Sequence, residues 1–261
     1  MAEYKYFKVT TEGSIATMTF CRPERMNTLG YEQWMEIQAI QDEIGENPDI
    51  RVLIINAEGP HFCAGIDLKE LQSFDSRTVI SKIIRIQRTY TRFQEMNAVV
   101  IAAINGVCIG AGFELILGAD IRIASADARF SIPEARFGLA PDMGGTQLLP
   151  RLVGPGQAKR LILACDEIDA QEALQIGLIE IVENDYESLQ KRAQKLAKNI
   201  INNPPWGVRF GKKAINAAAD SSIAGGLLLE QIQSAFCCGT EDQNEAVAAF
   251  FEKRKPNFQD K

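Results

Sequence analysis

The run Val99-Val100-Ile101-Ala102-Ala103-Ile104, closed by Asn105-Gly106, constrains this chain most. Six apolar residues with no polar alternation read as a strand buried on both faces, which needs cover on each side. Val52 to Asn56 repeats the pattern behind a helix expected over Tyr31 to Glu46, as a parallel interior strand does after a helical crossover. The expected class is therefore α/β. At 261 residues the chain suits one large domain, or one domain with a helical extension.

Each of these strands leads to a turn of small residues that opens a helix. The first is Cys63-Ala64-Gly65-Ile66-Asp67-Leu68 and the second is Gly110-Ala111-Gly112-Phe113-Glu114-Leu115. Either could be a plain tight turn. Two strand ends that each offer a free backbone N–H can also converge into an oxyanion hole. Three acids follow the second turn: Glu114 in the first helical turn, Glu134 after a hairpin-like pair of Ile121 to Ala124 and Ala128 to Ser131, and Asp142 within Pro141-Asp142-Met143-Gly144-Gly145-Thr146. A helix N-terminus should favour Glu114 as the carboxylate, whereas Pro133 and Ile132 beside Glu134 should help it keep its proton.

Composition removes the competing chemistries. The single histidine, His61, excludes sites built on several histidines, and the six cysteines contain no C-x-x-C pair, so no metal is expected. No G-x-S-x-G supplies a nucleophile elbow. A net charge of −6 gives no case for nucleic acid. Met1-Ala2-Glu3-Tyr4-Lys5 has no signal-like apolar stretch and no window is apolar enough for a span, so no membrane partner and a reduced, cytoplasmic location are expected.

The remaining elements are a hairpin of Tyr6 to Thr10 with Ile15 to Phe20, and a long helix from Arg77 to Met96 with Ile80, Ile83, Ile84, Ile86, Tyr90 and Phe93 as its apolar positions. Helices follow at Gly156 to Ala164 and Asp169 to Ile176, then a strand at Leu178 to Val182. The carboxy-terminal part reads as helices ending at Glu252, with Leu227, Leu228, Ile232 and Phe236 assigned to core and subunit packing.

Arg22-Pro23…Asn27-Thr28-Leu29, Phe62 to Leu68, Ala103-Ile104-Asn105-Gly106…Gly110 to Leu115, Phe130 to Glu134 with Gly138-Leu139 and Gly144-Gly145-Thr146-Gln147, and the tail Phe251 to Phe258 together resemble the enoyl-CoA hydratase/isomerase (crotonase) superfamily. The resemblance implies a crotonase-like spiral of β-β-α turns over residues 1–200 and a helical trimerisation subdomain over residues 201–261, assembling as a homotrimer or a hexamer of paired trimers. It implies an acyl-CoA substrate and no separate cofactor, coenzyme A being part of that substrate. The thioester oxygen would sit between the N–H groups of Ala64 and Ala111. Contacts to the substrate would run along Ala64, Gly65, Ile66, Asp67 and Gly110, with Lys253 near the nucleotide end.

With both glutamate positions filled, the resemblance implies syn addition of water to a 2-enoyl-CoA, the chemistry of fatty-acid β-oxidation, with Glu134 protonating the α-carbon. Asp142 departs from the common hydratase pattern. It implies a second reading, a double-bond isomerase of enoyl- or dienoyl-CoA using Glu134 and Asp142, unless Asp142 only caps a helix near Gly145. A non-catalytic acyl-CoA-binding homologue would be expected to lack one of the two glutamates.

Overall fold

The computed structural model describes residues 3–261. Met1 and Ala2, part of the amino-terminal stretch considered above, lie outside the described residues. Strands β1 (Phe7–Glu12) and β2 (Ile15–Phe20) form the expected antiparallel hairpin, turning at Gly13, whose φ is 57°. Helix α1 (Tyr31–Glu46) then carries the chain to β3 (Val52–Ala57), which lies parallel to β2. After α2 (Leu68–Leu71) and α3 (Ser76–Glu95) comes β4 (Val99–Ile104), parallel to β3 and buried at every residue.

Here the chain begins to alternate between two layers. β5 (Val107–Ile109) leaves the first sheet and runs into α4 (Ala111–Leu117). β6 (Ile121–Ser125) returns beside β4, and β7 (Arg129–Ser131) leaves again to pair with β5. The remaining elements are α5 (Gly145–Leu163), β8 (Ile168–Asp169), α6 (Ala170–Gln175), β9 (Ile181–Glu183) and α7 (Tyr186–Ile201), followed by α8 (Pro205–Ala217), α9 (Ile223–Cys237) and α10 (Glu241–Glu252). The result is a six-stranded sheet in the order β1-β2-β3-β4-β6-β9 and a small sheet in the order β5-β7-β8.

The hairpin expected from Ile121 to Ser131 is therefore absent. β6 is occupied on both edges, by β4 and β9, so β7 cannot fold back onto it and instead takes the open edge of β5. Helix α5 joins the helix expected near Gly145 to the one expected from Gly156, across a kink at Gly154 (φ 77°) just before Pro155.

Apolar burial follows the two-layer plan. Helix α7 lays Leu189, Ala193 and Ala197 on one face of the large sheet, against Ile15, Ile54 and Ile101. On the other face Trp34 and Tyr90 are fully buried, and the indole N–H donates to the tyrosine oxygen at 3.0 Å. Along α3 only part of the expected stripe is internal. Ile86, Tyr90 and Phe93 are buried, whereas Ile80 and Ile84 are 73% and 69% exposed because they sit on the opposite side of the helix.

Helix α8 is tied to the core by the ammonium of Lys212, which reaches the carboxylate of Asp120 at 2.7 Å and donates to the carbonyls of Phe93 and Ala98. No helix among the described residues is long and apolar enough to cross a membrane.

Candidate active site

Both small-residue turns dock on the small sheet. Cys63 bridges to Cys108 in parallel fashion: its N–H donates to the Val107 carbonyl at 3.0 Å, and the Ile109 N–H donates to its carbonyl at 2.9 Å. The next amide points the other way, and the Ala64 N–H donates to the Met26 carbonyl at 3.0 Å. That bond corrects the sequence expectation, since a donor already satisfied inside the loop is not available to a ligand oxygen.

Gly65 then adopts φ 89° and rotates the chain out of the ladder. The amide that follows it, at Ile66, has no acceptor among the described residues. The second turn repeats the device. Gly110 sits at φ 53°, and the amide after it, at Ala111, is likewise unpartnered at the start of α4. The two turns touch: a Cβ built on Gly65 would lie 3.6 Å from the Ala111 nitrogen and 3.0 Å from the Ile109 carbonyl oxygen. The signal available in the sequence is the residue that follows the glycine of each turn, Ile66 after Gly65 as Ala111 after Gly110.

The acids sit beside these amides. Glu114 is 1% exposed, and its Oε1 accepts the N–H groups of Met143 at 3.0 Å and Gly145 at 2.8 Å. Gly144, at φ 115°, turns the chain so that the first amides of α5 face this carboxyl. Burial nevertheless pushes the Glu114 pKa up to about 8, the two N–H bonds opposing it and the neighbouring Glu134 and Asp142 adding to it. Glu114 therefore does not lean toward the carboxylate as expected, because desolvation inside the core outweighs the partial charge at the start of a seven-residue helix.

Glu134 opens a short 3-10 turn, Glu134–Phe137. Its Oε1 lies where a Cβ on Gly110 would come within 2.8 Å, and its Oε2 is buried with no hydrogen-bond partner. Burial raises its pKa as well. Asp142 is exposed, but the surface it exposes is cavity wall, and desolvation raises its carboxyl too. It does not cap α5, whose N-cap is Gly144 with no side-chain bond. Instead its backbone carbonyl accepts the amide of Gln87 on α3 at 2.7 Å.

Two chambers meet at this point. One, of about 320 Å³, is walled by α3 residues such as Val79, Ile83 and Ile86 and holds all three acids. The other, of about 470 Å³, is lined by Arg25, Thr28, Lys69 and the whole stretch from Ala64 to Leu68, with Gly110. Ile66, Ala111 and Glu134 border both. The structure thus gathers Glu114, Glu134, Asp142, Ala64, Gly65, Ile66, Asp67, Gly110 and Ala111 at one junction. Asp67 has a structural duty as well, accepting the Lys69 N–H at 3.0 Å as the cap of α2. Lys253 is the exception: it ends α10 in a left-handed conformation and lines neither chamber. His61 also stays outside, its Nδ1 accepting the Val107 N–H at 3.3 Å.

A family model for enoyl-CoA hydratase/isomerase matches residues 10–261. The chain belongs to the enoyl-CoA hydratase/isomerase family. A short-chain-enoyl-CoA hydratase of Clostridium acetobutylicum is 38% identical, the match covering 94% of each chain. A mitochondrial Delta(3,5)-Delta(2,4)-dienoyl-CoA isomerase of Dictyostelium discoideum is 33% identical over 99% of this chain and 92% of its own. The crystal structure of an enoyl-CoA hydratase from Bacillus anthracis superposes with a TM-score of 0.95 at 34% identity, covering 98% of this chain and 100% of that one. Family membership makes this chain a crotonase-fold enzyme, and the two-layer alternation of strands described above is how the family's spiral is realised here.

Proposed function

We propose that this chain is an enoyl-CoA hydratase that adds water across the double bond of a short 2-enoyl-CoA, chemistry of the β-oxidation type. The observation that carries the reading is the junction itself: two unpartnered amides, at Ile66 and Ala111, beside a buried, unpartnered oxygen of Glu134. The thioester carbonyl lies between the amides, its acyl chain in the α3 chamber and its coenzyme A arm along Ala64 to Asp67. As water attacks C3, negative charge moves onto that oxygen, where each amide is worth about 2.7 to 4 kcal/mol of barrier.

The two glutamates carry one proton between them, which burial holds on Glu114 in the resting enzyme and which sits on Glu134 in the form that reacts. Glu134, packed against Gly110 and so nearest C2, gives its proton to C2, while Glu114 takes the proton released by the water. The proton ends on Glu114, where burial favours it, and exchange through the next water resets the pair. The relatives named as hydratases support this assignment.

Asp142, free of any capping duty and on the wall of the acyl chamber, favours a second reading as a double-bond isomerase with Glu134 and Asp142 as the proton carriers. The deciding assay follows loss of crotonyl-CoA absorbance. Hydratase activity that disappears in Glu134→Gln while thioester binding persists supports the first reading; a flat trace for the wild type refutes it.

We also infer self-association into a trimer, singly or in pairs, through the helices of residues 201–261. Ile223, Phe250 and Phe251 are 83%, 79% and 76% exposed, and Leu227, Leu228 and Ile232, expected to be packed, lie open on the same helical part of the chain. The free thiols of all six cysteines fit a reducing cytoplasm.

A further inference from the structure

One cation lines the acyl chamber among the described residues, Lys82 of α3. Its Nζ lies 4.1 Å from the centroid of the Tyr31 ring and 5.8 Å from that of Phe74, and it makes no ion pair or hydrogen bond with any described residue. Aromatic faces stabilise the half-exposed ammonium but offer its three N–H donors no acceptor. The surrounding wall is apolar, with Val79, Ile83 and Ile86 on the same helix. A saturated or simple unsaturated hydrocarbon chain placed there would face a charge and give it nothing.

The acids of the chamber do not account for this charge. Glu114 is engaged by the amides of Met143 and Gly145, and neither Glu134 nor Asp142 forms an ion pair with Lys82, whose partners among the described residues are the two rings alone. They come from α4, the 3-10 turn and the loop before α5, whereas Lys82 comes from α3. An acyl chain that starts at the Ile66 and Ala111 amides passes the glutamates with C2 and C3 and then meets the α3 wall.

We propose that Lys82 makes this chamber selective for thioesters whose acyl chain carries a second carboxylate at its far end. The inference rests on the acyl-CoA reading of the two chambers and names the substrate class for it. A carboxylate supplies the charge-assisted bond that the ring faces cannot, and it is favoured over a hydroxyl because only an anion neutralises the ammonium in a partly dehydrated space. Burial keeps Glu114 protonated at neutral pH, which lessens the repulsion such an anion would meet.

The test uses two saturated thioesters that cannot react, butyryl-CoA and glutaryl-CoA, titrated calorimetrically into the wild type, Lys82→Met and Lys82→Arg. Methionine keeps an apolar stem over Tyr31 without the charge. The wild type should prefer glutaryl-CoA, the preference should fall by about tenfold or more in Lys82→Met, and Lys82→Arg should restore most of it. A ratio of the two Kd values that is the same in wild type and Lys82→Met overturns the proposal, even if crotonyl-CoA is hydrated. If the ratio responds to Lys82 but no thioester is hydrated, the selectivity stands and the hydratase assignment falls. Failure to bind either thioester overturns both.

Discussion

Replacing Glu114 by Gln should change how stability depends on pH more than it changes stability at any one pH. Burial raises the folded-state pKa of Glu114 to about 8, against an ordinary value of 4.5. Below pH 4.5 the carboxyl is protonated both folded and unfolded, and its contribution is fully present. Between 4.5 and about 8 the unfolded chain ionises while the folded chain keeps its proton, so stability falls by about 1.4 kcal/mol per pH unit. Above the folded pKa both states are ionised and the loss is complete, on the order of 5 kcal/mol.

Since the side chain is 1% exposed, solvent screening does little to reduce this figure. Glutamine retains an oxygen for the Met143 and Gly145 amides but has nothing to titrate, so its cost or benefit is a constant offset. Urea denaturation of both proteins at pH 5, 7 and 9, at one protein concentration, gives the difference directly. The variant should gain several kcal/mol on the wild type between pH 5 and 9. Two stability curves that run parallel over that range would refute the buried, proton-holding role of Glu114.

Gly110→Ala should cost the enzyme at least about a hundredfold in kcat/KM, because the new Cβ would meet Glu134 Oε1 at 2.8 Å and φ is positive there; an active variant would separate Glu134 from the oxyanion turn. Lys212→Met leaves Asp120 buried without its cation and should lower stability by about 3 to 5 kcal/mol, read from the shift of the denaturation midpoint. Asp142→Asn should leave crotonyl-CoA hydration within about tenfold of wild type; loss greater than a hundredfold on a 3-enoyl or dienoyl thioester, with hydration spared, would assign Asp142 to isomerisation.

The parts of this molecule legible in the sequence are those fixed by short-range chemistry. Val99 to Ile104 could only be an interior strand, Asp169 and Gly177 bracket a helix by their capping preferences, and the glycines of the two turns announce unusual backbone. What stayed hidden depends on neighbours distant in sequence. Whether the Ala64 amide is free is decided by the Met26 carbonyl, and the fate of β7 by an edge that β9 has already taken. The raised pKa of Glu114 is hidden for the same reason. Local position at a helix start is readable, whereas the depth of burial around Glu114 is created by α5 and its approach through Gly144 and Gly145.

Gly110 is pinned to the small sheet by its bond to the Ser131 carbonyl and Gly65 is held by the Leu29 amide, while the far wall of the acyl chamber belongs to α3, a helix with a different set of attachments. The grip on the thioester is therefore mechanically separate from the gauge that measures the acyl tail. Residues such as Val79, Lys82 and Ile83 can be exchanged for larger, smaller or differently charged ones without disturbing the amides that hold the oxygen, so this scaffold can be retuned to new acyl groups one helix face at a time.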